Sequence, residues 1–340
     1  EGVSCKASVS HSDNKGNDLP CGIRGVTVRN AKITVDGTNY GALGGIVGMC
    51  KGYGVSHSTM TGTITANSIV TTGGIAGITE VYSADGTTAI PSITDCSVQA
   101  TIISKVNNAV GGIAGEIRSQ TVVNACSSMG TINTQKGHTG GIVGVQSPGT
   151  TISGCSSTAT ISGIENIGGI VGTMSKNDNG TAMIEHCAYS GHIDASAATY
   201  AGGLCGKLEW ERNEHITDCL FLGTMSMPSS RDKCSATVGY NTKPGETVSM
   251  CYYDKSLFNG KVAPGLDNHV TCEGLTTAKL TSGNFDDVPY LNVDKGDAGF
   301  TLVEGRYPTV YSKTLWKGYN KFSSYTGGDS WNAMFALQRT

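Results

Sequence analysis

Apolar residues recur along this chain at even offsets and in a fixed order. Ile93-Thr94-Asp95-Cys96, Val123-Asn124-Ala125-Cys126, Ile152-Ser153-Gly154-Cys155, Ile184-Glu185-His186-Cys187 and Ile216-Thr217-Asp218-Cys219 all read aliphatic-x-x-Cys. A small residue follows four positions after the cysteine and an aliphatic one six after, as at Gly130 and Ile132 or Gly191 and Ile193. Successive side chains of a strand point to opposite faces, so the cysteine, the small residue and the aliphatic residue share one inward face. The segments are rich in Thr, Ile, Val and Gly, which favours strands over helices. Val28 to Ala31, Val55 to Ser58 and Val248 to Cys251 read as degenerate copies, making about eight in all.

A second motif keeps time with the first. Gly-Gly-aliphatic-x-Gly occurs six times, starting at Gly44, Gly73, Gly111, Gly140, Gly168 and Gly202, at intervals of 29, 38, 29, 28 and 34 residues. One supersecondary unit per repeat, unable to bury its own core, is the signature of a solenoid. The expected fold is all-β: a β-solenoid, or parallel β-helix, of about eight coils, each rising roughly 4.8 Å. The glycines supply tight corners or places where backbones approach too closely for a side chain.

The expected division is an N-terminal cap over residues 1–22, the solenoid over 23–255, and a C-terminal cap or small follow-on module over 256–340. In that last part the pentapeptide disappears and aromatics such as Phe285, Tyr307, Trp316 and Trp331 gather. A solenoid needs such a cap to stop edge-to-edge growth. Gly274 to Leu280 reads as a short helix with Thr276 and Thr277 at its start.

Composition narrows the function classes. Of 340 residues, 38% are hydrophobic and 15% charged, and the net charge of −3 lacks the basic excess that nucleic-acid binding demands. No apolar run is long enough to span a membrane in this fragment. The polar β-repeat texture fits an exported protein, with any signal peptide or anchor outside this segment.

Among the twelve cysteines, Cys96, Cys126, Cys155, Cys187, Cys219 and Cys251 fall one per coil at one inward position. They read as a buried thiol ladder, cysteine acting as a small hydrophobe, with Ala31 and Ser58 in the equivalent early places. Cys5 and Cys21 form the candidate disulfide. No CxxC pair is present, so neither a metal nor another cofactor is expected.

These motifs carry a family likeness. The Gly-Gly-Ile-Val-Gly pentapeptides followed by aliphatic-x-x-Cys strands resemble the GLUG-motif repeats of large bacterial surface and secreted proteins. Gly274-Leu-Thr-Thr-Ala-Lys-Leu280 and Gly305-Arg-Tyr-Pro308 are similar to sequences that follow such arrays. The resemblance covers about residues 23 to 310 and implies an adhesin-like surface protein. Some such repeats lie beside protease domains, but this sequence has no His-Glu-x-x-His motif.

Candidate chemistry is sparse. Asp95, His186 and Asp218 precede ladder cysteines, and His186 and Asp218, on neighbouring coils, would lie about 5 Å apart as an exposed polar pair or an acid/base pair. Thr63, Thr101, Thr131, Thr160 and Thr224 share one outward slot, with His192 interrupting. The loop from Lys207 to His215 sets Trp210 among Glu209, Glu211 and Arg212, an arrangement that can stack on and hydrogen-bond a sugar or pack on the cap. Tyr82 marks a second long insertion. The resulting expectation is a non-enzymatic extracellular or cell-surface module that binds a glycan or a host or microbial surface protein, or acts as a spacer. A carbohydrate-active β-helix enzyme is the alternative, and an ice-binding solenoid a lesser one.

Overall fold

The computed structural model describes residues 11–12, 18–19, 22–37, 40–52, 54–80, 92–106, 108–175, 180–209, 214–227, 233–241, 248–258, 260, 270–286, 288 and 298–312. The chain winds as a parallel β-solenoid. Each turn passes through one large sheet, bends, crosses a first glycine sheet, reverses at the pentapeptide and returns along a second glycine sheet.

Both glycine sheets contain seven strands. The first runs from Gly41–Gly44 through Gly137–Gly140 to Cys234–Ser235, the second from Val47–Lys51 through Val143–Gln146 to Val238–Asn241. Seven rungs make six turns from first to last, somewhat fewer than the expected eight coils. The eighth cysteine copy, in Val248–Asp254, continues the large sheet but has no glycine strands after it among the described residues. The seventh pentapeptide slot is filled by Ser235-Ala236-Thr237-Val238-Gly239, where Ser235 pairs with Gly202.

In-register stacking builds the core. Ile64, Ile102, Ile132, Ile161, Ile193 and Met225 are successive neighbours in one inward column. A second column, Met60, Val98, Ser128, Ser157, Tyr189 and Phe221, faces the second glycine of each pentapeptide. A Cβ at Gly141 would overlap the carbonyl of Gly169 and lie 2.6 Å from the Ser157 hydroxyl, so this position admits only glycine without displacing the next rung. The column swells toward the C-terminus, where Tyr189 stacks on Phe221 at 6.1 Å and Phe258 meets Phe221 edge-on at 5.5 Å.

The bend inside the aliphatic-x-x-Cys motif is a left-handed corner. Gly25, His57, Asp95, Ala125, Gly154, His186, Asp218 and Met250 all have φ between 49° and 68°. A residue in this conformation ends one strand and starts the next. Hence His186 and Cys187 do not simply alternate along a strand, as a continuous strand would require.

The corner also relocates the first copy. Ile23 pairs with Val55, and a register shift between Val28 and Ala31 sets Ala31 opposite Gly62. The first repeat is therefore Ile23-Arg24-Gly25-Val26, and Val26, not Ala31, stands in the ladder slot next to Ser58, whose hydroxyl accepts from Val26 N–H at 3.1 Å. The bulge adds a residue that a count from the sequence cannot see.

After the last corner, Val270–Leu275 pairs in parallel with Val248–Asp254. The helix Thr277–Leu280 follows, with the Thr276 hydroxyl accepting from Lys279 N–H as its N-cap. Leu280, Phe285, Val288 and Phe300 bury a second, smaller core against Ala188, Leu220, Leu222 and Tyr252 on the outer side of the large sheet. At its edge the fully buried Asp254 accepts from Tyr307 Oη at 2.6 Å, Thr277 Oγ1 at 2.7 Å and the Ser256 N–H at 2.7 Å. Burial alone would raise its carboxyl, but these donors hold it below the usual carboxylate range.

Candidate functional site

Because the chain reverses tightly within each pentapeptide, the outer faces of the two glycine sheets lie against each other and form a seam along the rod. The first glycine of each copy makes this approach possible: a Cβ at Gly140 would overlap the carbonyl of Val143 and lie 2.7 Å from that of Ile170. Two residues before the first glycine, the first sheet contributes Ala42, Thr71, Ala109, His138, Asn166 and Tyr200, and Lys233 before the degenerate copy. Five residues after it, the second sheet contributes Met49, Ile78, Glu116, Val145, Thr173, Lys207 and Tyr240.

The first three rungs of the seam are mostly apolar or small, with Thr71, Ile78 and Ala109 buried. From the fourth rung the chemistry changes. His138 Nδ1 lies 2.9 Å from Asn166 Nδ2 and 3.0 Å from Thr173 Oγ1, and Asn166 Nδ2 also reaches Thr173 Oγ1 at 3.0 Å. Burial holds this imidazole below its usual range, while Glu165 and Glu209 pull the other way. A neutral ring whose Nδ1 accepts from the amide carries its proton on Nε2. Further along, Tyr200 and Tyr240 stack across the seam at 4.4 Å, and Lys233 Nζ sits 5.6 Å from the Tyr200 ring centre.

Lys51, Glu80, Arg118, Glu116, Lys207 and Glu209 on the rim are paired. Glu80 bridges Lys51 at 2.5 Å and Arg118 at 3.3 Å, and Arg118 also grips Glu116 through two bonds of 2.7 Å. Burial raises the Glu80 carboxyl, and the bonds to Lys51 and Arg118 outweigh it and lower its pKa. Lys207 Nζ bonds Glu209 Oε1 at 2.8 Å.

The sequence-derived candidates distribute as follows. Glu209 stands at the seam in the pair with Lys207, and His215 is exposed. Trp210, Glu211 and Arg212 lie outside the described residues, as do Tyr82, Cys5 and Cys21. His186 Nε2 and Asp218 Oδ2 approach to 3.5 Å; both residues stand at left-handed corners, and both side chains are mostly buried rather than exposed. His57 and Asp95 form a second such pair at 3.3 Å. The threonine column stacks in register from Thr63 through Thr101 and Thr131 to Thr160 and is flanked by Gln99, Met129, Ile103 and Asn133.

Cys96, Cys126, Cys155, Cys187, Cys219 and Cys251 are buried thiols just past the corner. Each thiol faces the carbonyl two residues back, as Cys126 Sγ does that of Asn124 at 3.2 Å, and the N–H groups of Cys126 and Cys155 point at the sulfurs of Cys155 and Cys187 at 3.4 Å. Burial pushes the thiols of Cys126, Cys187 and Cys219 well above their usual range, which suppresses thiolate chemistry.

Among the described residues no cluster of three or more His, Cys, Asp or Glu side chains converges as a metal site, and no helix is long and apolar enough to cross a membrane. No protein-family model, curated protein or solved structure matches this chain.

Proposed function

We infer that the chain is a non-enzymatic, adhesin-like binding and spacer module, acting outside the cell or at its surface in the manner of the GLUG-type repeats it resembles. Its partner would be a glycan or a host or microbial surface protein. The observation that carries this reading is the seam: a rigid scaffold that presents a polar and aromatic strip, including His138, Asn166, Tyr200, Lys207 and Tyr240, over its later rungs. Binding residues collect where variable segments are held on a rigid frame.

Two features support binding over catalysis, and a third disfavours ice binding. Glu80, Glu116 and Glu209 are each engaged by a cation, so none of them faces another carboxylate as an acid/base pair. The His186–Asp218 and His57–Asp95 pairs sit at corners that the winding of the chain requires. A single threonine column with mixed flanks is also a poor template for ordered water.

The test is adhesion of the labelled chain to mucin and epithelial cells, followed by a glycan array. Specific retention by wild type supports the binding role, with Trp210→Ala expected to lower glycan affinity by about ten- to a hundredfold. Absence of retention on every surface would leave only the spacer role.

A further inference from the structure

We propose that the mouth of the seam at Tyr200, Tyr240 and Lys233 is a subsite for an acidic sugar, such as a uronate or sialate unit of a larger glycan. This deepens the binding role above and rests on it.

The rings lie where the scaffold has no use for them. The solenoid core is complete behind Ala201, Cys205 and Val238, all fully buried, whereas Tyr240 is 37% exposed and Lys233 is exposed. In the earlier rungs the Tyr200 slot is filled by Ala42, Thr71 and Ala109, so stacking of the coils does not demand an aromatic there. Tyr200 backs Tyr240 at 4.4 Å with 24° between the planes, which fixes the orientation of the Tyr240 ring. A ring held in place loses little rotamer freedom on binding, and its face suits the C–H side of a pyranose.

Charge selects the sugar. Lys207, the register neighbour of Tyr240, is neutralised by Glu209 at 2.8 Å. Among the described residues Lys233 has no carboxylate within 4 Å, and its ammonium lies over the Tyr200 ring. It is the group at this mouth ready to take a carboxylate, a charge-assisted hydrogen bond stronger than a neutral one. The two requirements, a C–H face on a ring and an anion beside it, coincide in a sugar acid.

Calorimetric titration of the whole chain with oligogalacturonate and sialyllactose, against uncharged maltohexaose and lactose, tests this. The expected result is binding of at least one acidic probe. Tyr240→Ala should weaken it about tenfold or more, Tyr240→Phe should keep it, and Lys233→Gln should weaken it and flatten its salt dependence. Tyr240 is on the surface, so folding of each variant is checked by circular dichroism and melting. Acidic-probe binding that both Tyr240→Ala and Lys233→Gln leave unchanged would overturn the subsite, as would binding of the uncharged probes alone. Adhesion to mucin or cells that persists in these variants would keep the binding module and reject this site. Wild-type binding of an acidic probe that both variants weaken, together with no wild-type adhesion to any surface, would keep the subsite and reject the adhesive role.

Discussion

Gly141→Ala is the smallest perturbation that asks whether the pentapeptide is a constrained corner. The added methyl would overlap the backbone carbonyl of Gly169 on the next rung and crowd Ser157, 2.6 Å from its hydroxyl. A backbone carbonyl cannot rotate away, so the two rungs must separate. Such separation strains the bond from Gly141 N–H to the Gly168 carbonyl, now 3.1 Å, and the one from the Ser128 hydroxyl to the Gly141 carbonyl. Overpacking costs about 1–3 kcal/mol and each weakened hydrogen bond up to about 1 kcal/mol, while the stiffer unfolded chain returns roughly 0.5 kcal/mol. The net expectation is a loss of about 0.5–4.5 kcal/mol, centred on roughly 2.5, with Gly141→Val toward the upper end. Gly41→Ala is the control: its methyl would meet only Val70 Cγ1, at an ordinary 3.6 Å, and stability should stay within about 0.5 kcal/mol of wild type. Urea titrations report the difference, and hydrogen exchange locates it, since a repeat array can open locally. Equal midpoints for Gly141→Ala and Gly41→Ala would refute the packing argument.

Two further outcomes follow from the buried polar groups. Iodoacetamide should leave Cys126, Cys155, Cys187 and Cys219 unmodified in the native protein and label all four after denaturation; recovery of Cys126 and Cys155 in one disulfide-linked peptide would contradict the thiol ladder. Asp254 has a depressed folded pKa, so its contribution is complete above the ordinary carboxyl value of about 4 and is lost as pH falls through the lower folded value. Protection of the amides over Thr277–Leu280, corrected for the intrinsic pH dependence of exchange, should therefore fall as pH drops below about 4 in wild type, and Asp254→Asn should be less protected at about pH 6 and lose that dependence.

The parts of the fold that repeat were legible because repetition supplies its own alignment. Alternation around Cys96, Cys126 and Cys155 identified strands and their inward face, and Thr276 marked a helix start that the structure contains. What escaped was backbone geometry that leaves no composition signal. Ala125 and Met250 adopt the same left-handed corner as Gly154, although neither is a residue that favours it, because the stacked neighbours above and below impose the bend. The register shift between Val28 and Ala31 displaced the first copy for the same reason.

The seam was missed differently: its residues are visible, but they look like strand positions of no consequence until the glycines are known to reverse the chain. Once they do, the signal is positional. Counting two residues back and five forward from each first glycine collects Asn166 with Thr173, and Tyr200 with Tyr240 once the Ser235 copy is added, pairs that lie more than thirty residues apart in the latter case and seven in the former. The glycines thus serve two ends with one substitution pattern. Where the second glycine faces the core it lets rungs stack, and where the first faces outward it brings two sheets together, so that side chains on either wall of the seam are free to vary without disturbing the rod.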